Sequence, residues 1–208
     1  MISIARPGAA GRPAHLYSVN AVRRIQPDQT GFDPWPSALA IDNHGHVLTS
    51  VERSNGNGIE VFQGGPGSSN KPIRTISGPH TGLGACSNFD SCTHIAIAYS
   101  ALTGRIYAAV SDTDQSRVEV FAGNANGDAR TIRTIAGTAT GLKEHVVTGI
   151  AVSQRTGDIF VLAKSAEFQG TGTIEVFRRV QSGNTAPLRT FTDKASHMAD
   201  GQGIALSP

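Results

Sequence analysis

Cysteine, methionine, tryptophan and charge are all scarce in this chain of 208 residues. The two cysteines, Cys86 and Cys92, cannot make a disulfide framework, and they lack the spacing and the second pair that a zinc site needs. They flank Ser-Asn-Phe-Asp-Ser in one enlarged loop, where a bond would close a small ring worth about 2 kcal/mol. The alternative is a pair of free thiols. Charged residues make up 16% and the net charge is +2, with Lys and Arg scattered, so the chain has no electrostatic footprint for nucleic acid. Arg23-Arg24 and Arg178-Arg179 read as solvated strand ends. No apolar run is long enough to span a bilayer, so no membrane partner is expected. Met1 to Arg6 lacks the apolar core of a secretory signal, which leaves a cytosolic protein or one whose leader lay upstream of the present start.

Catalytic signatures are equally absent. There is no Gly-x-Ser-x-Gly elbow, no phosphate loop, no dinucleotide fingerprint and no His-Glu-x-x-His pair. An ordinary serine hydrolase is therefore not expected.

What the chain does have is repetition. Ile59-Glu-Val-Phe62 with Arg74-Thr-Ile76 recurs as Val118-Glu-Val-Phe121 with Arg133-Thr-Ile135, and as Ile174-Glu-Val-Phe177 with Arg189-Thr-Phe191. The period of about 50 to 59 residues, with short β-type runs between Gly, Pro, Asn and Asp, points to a radial or stacked repeat fold. A Thr-Gly-hydrophobe loop opens each unit at Thr30, Thr81 and Thr140, with a degenerate copy at Ser196. Strand a follows at Ala38 to Ile41, His94 to Ile97, Gly149 to Val152 and Gly203 to Leu206, alternating small and branched residues as a strand buried on both faces would. Strand b is expected over Val47 to Val51, Ile106 to Val110 and Ile159 to Ala163. The Glu-Val-Phe run is strand c and Arg-Thr-Ile/Phe is strand d. The turn Asn124-Ala-Asn-Gly-Asp128 imitates part of a calcium loop without its later Glu, and reads as a c-to-d hairpin turn.

The expected fold is therefore all-β, a small propeller of four four-stranded blades in one domain over 1–208. The blades span about 30–78, 79–137, 138–193, and 194–208 joined to 1–29. Met1 to Ala5 aligns with strand b, His15 to Val19 with strand c and Val22 to Ile25 with strand d, so the two termini would share the closing blade. Such a clasp removes exposed sheet edges. A monomer is favoured because tethered ends meet at high effective concentration. A clasped dimer or a part of a larger propeller would carry the same pattern.

The blade unit, with its Gly-Ile-Ala-Val strand, Thr156-Gly-Asp-Ile-Phe-Val161 hairpin, Ile-Glu-Val-Phe strand and Pro187-Leu-Arg-Thr-Phe191 strand, resembles the NHL-repeat and gluconolactonase-like propeller superfamily. The resemblance implies either a binding module or a calcium-dependent lactonase or esterase working at the top of the central channel. In such a fold the d-to-a connections and the ends of strand b share that mouth. The mouth then collects Glu52, Asp90 and Asp112 as oxygen ligands for Ca²⁺, and Asp200, Glu144 and His145 as candidate acid–base groups. Trp35, Asn88, His94 and Lys164 are candidate ligand-binding residues, with Arg6 and Asp33 nearby. The expected activity is metal-assisted hydrolysis of lactones or related esters. The alternative is a non-catalytic module for a protein, glycan or small ligand, since Asp, Asn and Glu also populate loop tips as turn formers.

Overall fold

The computed structural model describes residues 2–4, 23–25, 36–52, 56–66, 68–84, 94–111, 115–143, 145–165, 171–192, 201 and 203–206. Its strands in chain order are β1 (Ile2–Ile4), β2 (Arg23–Ile25), β3 (Pro36–Ile41), β4 (Val47–Val51), β5 (Gly58–Phe62), β6 (Arg74–Ser77), β7 (His94–Ser100), β8 (Arg105–Ser111), β9 (Arg117–Ala122), β10 (Arg133–Ile135), β11 (His145–Val152), β12 (Ile159–Ser165), β13 (Gly172–Phe177) and β14 (Arg189–Thr192). They form three four-stranded antiparallel sheets, β3 to β6, β7 to β10 and β11 to β14, each ordered as the chain runs. One 3-10 turn at Thr138–Thr140 is the helical content among the described residues. Strands a to d of the three complete repeats stand where their alternation and turn residues put them. Gly104 and Gly157, in the a-to-b turns, hold the left-handed backbone (φ 61° and 77°) that other residues avoid.

The sheets pack face to face. Leu48, Ile59, Val61, Ile76 and Leu83 of the first meet Ile95, Ile97, Ile106, Ala108, Val110 and Phe121 of the second in one core. The opposite face of the second sheet, with Tyr107, Val118, Val120 and Ile135, meets Val147, Ile150, Ile159, Val161 and Phe177 of the third. The central strands of the second sheet are largely apolar on both faces because a neighbouring sheet covers each face.

The repeated motif has a physical job at these junctions. Glu119 is buried opposite Thr134 across the strand pair, and accepts hydrogen bonds from Thr134 Oγ1 (2.5 Å) and Arg117 Nε (3.1 Å). Its carboxylate lies against Gly82, where a Cβ would come within 2.6 Å of Oε1. Arg117 Nη2 donates to Gly82 O at 2.6 Å. Glu175 repeats this with Thr190 Oγ1 (2.6 Å) beside Gly141. The Glu of one sheet thus braces the Thr-Gly-hydrophobe loop leaving the sheet before it. Inside that loop Thr81 Oγ1 donates to Gly78 O (2.7 Å), Thr140 Oγ1 donates to Gly137 O (2.7 Å), and Leu83 and Leu142 are driven into the core.

A second clasp comes from the c-to-d turns. Gly127 donates to Thr75 O (2.7 Å) and accepts from Ser77 N (3.0 Å), while Gly183 does the same with Thr134 O (2.7 Å) and Ala136 N (3.2 Å). Asp128 Oδ1 and Asn184 Oδ1 accept the backbone N–H groups of His80 (2.8 Å) and Ala139 (2.7 Å). Arg74 Nη1 donates to Gly123 O and Ala125 O, and Arg133 Nη1 donates to Arg179 O. The Asn-Ala-Asn-Gly-Asp segment is a hairpin turn as expected, and it also grips the neighbouring sheet.

The ends depart from expectation. β1 pairs directly with β2, Ile2 opposite Ile25, in the register of Ile59 opposite Ile76 and Val118 opposite Ile135. β1 therefore lies directly beside β2 rather than one strand removed from it, as a strand b would be; Ile-Ser-Ile alternates as any half-buried strand does, and alternation carries no strand identity. The segment His15 to Val19, expected as strand c, lies outside the described residues. Gly203 to Leu206 forms no ladder, although Gly203 Cα would stand 3.0 Å from a Cβ on Gly149 of β11. Strand a of the first sheet is not buried on both faces: Leu39 and Ile41 are 50% and 57% exposed, whereas their equivalents Ile95 and Ile97 are buried.

Two predictions follow from the junctions. Burial, opposed by the hydrogen bond from Thr134 and the charge of Arg117, leaves the Glu119 carboxyl above its ordinary value. A raised folded-state value favours the protonated form, so its contribution to stability is full at low pH and is lost as pH rises through the folded value. Denaturation midpoints measured across the acid range should show Glu119→Gln flattening that decline. Ile135→Ala, at a fully buried junction position, should cost about 2–5 kcal/mol in urea titration, and Leu39→Ala about 1 or less.

Candidate functional site

The first turns of strands a and the last residues of strands b converge at one end of the sheets. Glu52 directly follows β4, His94 opens β7, and Lys164 lies near the end of β12 opposite Val146 of β11. A cavity of about 340 Å³ opens here, lined by Ser37, His94, Ile95, Val147, Thr148 and Lys164 among others.

The centre of the site is a pair. His94 Nδ1 lies 3.2 Å from Glu52 Oε1, with the Glu52 side chain 7% exposed and the His94 ring 63% exposed. A buried carboxylate thus orients an imidazole whose other nitrogen has no partner among the described residues. This hydrogen bond raises the His94 pKa; burial opposes it, the Glu52 charge adds to it, and the Lys164 charge subtracts from it. Lys164 reaches the same space without an ion-pair partner among the described residues.

Two hydroxyls escaped sequence reasoning. Ser37 Oγ shares a hydrogen bond with Ser50 Oγ (3.0 Å) and donates to Ile95 O (3.3 Å). Thr148 Oγ1 is buried without a hydrogen-bond partner among the described residues. Thr148 sits where β11 shifts register between Val147 and Gly149, and nothing in the local sequence announces that irregularity.

The structure thus brings together Glu52, His94 and Lys164. His145 opens β11 at the same end but is not part of the cavity wall, and its Nδ1 is 3.0 Å from Lys143 O, to which it donates. Trp35, Cys86, Asn88, Asp90, Cys92, Asp112, Glu144 and Asp200 lie outside the described residues. Calcium would need six to eight oxygen ligands. Of the expected set only Glu52 is described, one of its oxygens is engaged by His94, and no cluster of three or more His, Cys, Asp or Glu occurs among the described residues.

No family model matches the chain, and no curated protein matches it. Solved structures do match, among them a quinoprotein alcohol dehydrogenase-like protein from Bacteroides thetaiotaomicron, 14% identical with a TM-score of 0.44. The match covers 74% of this chain and 32% of that one, so this chain spans about a third of the length of that protein.

The His94–Glu52 pair is directly measurable. In an NMR titration His94 should hold its proton to higher pH than an ordinary imidazole. Glu52→Gln removes the charge and weakens the hydrogen bond, and should bring the midpoint down; an unchanged midpoint would mean that the pair does not form.

Proposed function

We propose that the three sheets are blades of a four-bladed propeller formed as one domain over 1–208, and that its mouth at Glu52, His94 and Lys164 hydrolyses a lactone or related small ester. Blade-type packing is supported by the two repeated junctions. A fourth unit beside the first sheet is supported by Val47, Thr49, Val51 and Phe62, which are buried on the face turned away from the second sheet. Gly203 and Ile204 running against Gly149 support the C-terminal segment as its inner strand.

The observation that carries the chemistry is the buried carboxylate behind an exposed imidazole at a cavity. Neutral His94, with its Nδ1–H donated to Glu52, can take a proton at Nε2 from a water attacking the carbonyl carbon. As the bond to the leaving oxygen breaks, the protonated imidazole can return that proton to the alkoxide. Lys164 offers positive charge for the oxyanion that forms meanwhile. No step is routed through a metal.

A second reading, a small-ligand module without catalysis, is favoured by the apolar walls at Ile95 and Val147 and by the unsatisfied hydroxyl of Thr148. Hydrolysis of γ-butyrolactone and 4-nitrophenyl acetate separates the two. The catalytic reading expects His94→Ala to lower kcat/KM by about 10²-fold or more. It also expects Glu52→Gln to shift the rising limb of the pH profile downward, and a chelator to leave turnover intact. Turnover that is absent, or indifferent to His94, would leave the binding reading.

A further inference from the structure

An asparagine followed by glycine carries a chemistry of its own. Glycine has no Cβ, so its backbone nitrogen, once free of its proton, can close on the side-chain carbonyl of the asparagine before it. The sequence holds this pair at Asn55, Asn57 and Asn126. Asn55 lies outside the described residues. Asn57 is buried, its Nδ2 donates to Leu83 O (3.2 Å), and Gly58 is locked into the sheet opposite Val51. Asn126 and Gly127, by contrast, are exposed at the tip of the c-to-d turn of the second sheet.

Both reacting groups of the exposed pair are held by one residue of the neighbouring sheet. Gly127 N donates to Thr75 O (2.7 Å), and Asn126 Oδ1 accepts from Thr75 N (3.1 Å). Ser77 N donates to Gly127 O (3.0 Å) as well, so the glycine is gripped on both sides. Ring closure needs the nitrogen without its proton and the side chain turned back onto it, so both bonds to Thr75 must open first. Arg74 holds the same turn shut through Gly123 O (2.8 Å) and Ala125 O (3.0 Å). The second junction has no counterpart: Ser182 stands in place of Asn126 and donates to Thr134 O (3.2 Å).

We propose that Asn126 is a deamidation site gated by the junction between the first two sheets, and that its isoaspartate product keeps that junction from closing fully. When the clasp opens, Gly127 N gives its proton to solvent and attacks Cγ of Asn126. The Cγ–Nδ2 bond breaks, the amide nitrogen takes up a proton from water and leaves as ammonia, and a cyclic imide remains. Water then opens the imide at either carbonyl, which leaves an aspartate or an isoaspartate at this position. The aspartate retains an oxygen for Thr75 N. The isoaspartate routes the main chain through its side-chain carbon, and the longer backbone carries Gly127 out of register with Thr75. The site is independent of the mouth at His94 and rests on separate residues.

Peptide-resolved mass spectrometry of the full chain, incubated at mildly alkaline pH with and without guanidinium chloride, tests it. Asn126 should deamidate in the folded chain, at least about tenfold more slowly than in the unfolded one, as local opening requires. Arg74→Ala, distant in sequence and so without effect on the intrinsic reactivity, should raise the folded-state rate by about tenfold, the scale of a lost charge-assisted hydrogen bond. Arg133→Ala, at the second junction, should leave that rate unchanged. The isoaspartate fraction, separated by ion exchange, should unfold at a lower temperature than the parent, whereas Asn126→Asp should stay close to it. Equal rates in the folded and unfolded chain, no reaction at Asn126 in either, equal effects of the two arginine variants, or an isoaspartate fraction as stable as the parent would overturn the proposal.

Discussion

A four-stranded sheet whose middle strands are apolar on both faces cannot stand alone in water. β4, β8 and β9 bury nearly every residue of their central runs, so the first and second sheets require a covering on either face. The stacking brings the strand ends into two clusters, one at each end of the sheets, and each cluster draws its residues from different repeats.

Hydrophobic contact alone would let adjacent sheets slide. Directional bonds prevent this: the buried Glu119 and Glu175 seat against the glycines of the preceding loop, and Gly127 and Gly183 add main-chain bonds to the preceding outer strand. A carboxylate in such a place is costly to ionise, which is why it is met by a threonine hydroxyl and, at Glu119, by an arginine. The Glu and Thr of the repeated phrase are therefore scaffold, and the proposed chemistry falls to residues that vary between repeats. Glu52, His94 and Lys164 are such residues.

Much of this was legible in the residues. Gly-rich turns and the period-two runs marked twelve strands in three sheets, and the common rim of strands a and b pointed to Glu52, His94 and Lys164 as neighbours. Other parts were not. Ile2-Ser-Ile4 reads as strand b by its alternation, yet it pairs directly with Arg23–Ile25, a partner that alternation does not name. Thr148 looks like one more alternating residue until the bulge in β11 hides its hydroxyl. That a Glu52 oxygen pairs with His94 was likewise hidden in the sequence, because the two residues are 42 positions apart and belong to different sheets.

By itself, then, the sequence determined the all-β class, the strands of the three complete repeats and the residues of one rim, because alternation, turn glycines and a fixed period are local properties of the chain. Tertiary structure alone decided that the repeated Glu braces a neighbouring loop and that a buried carboxylate stands behind His94. Those facts join residues from different sheets, and their distances depend on how the sheets stack, which no local pattern encodes.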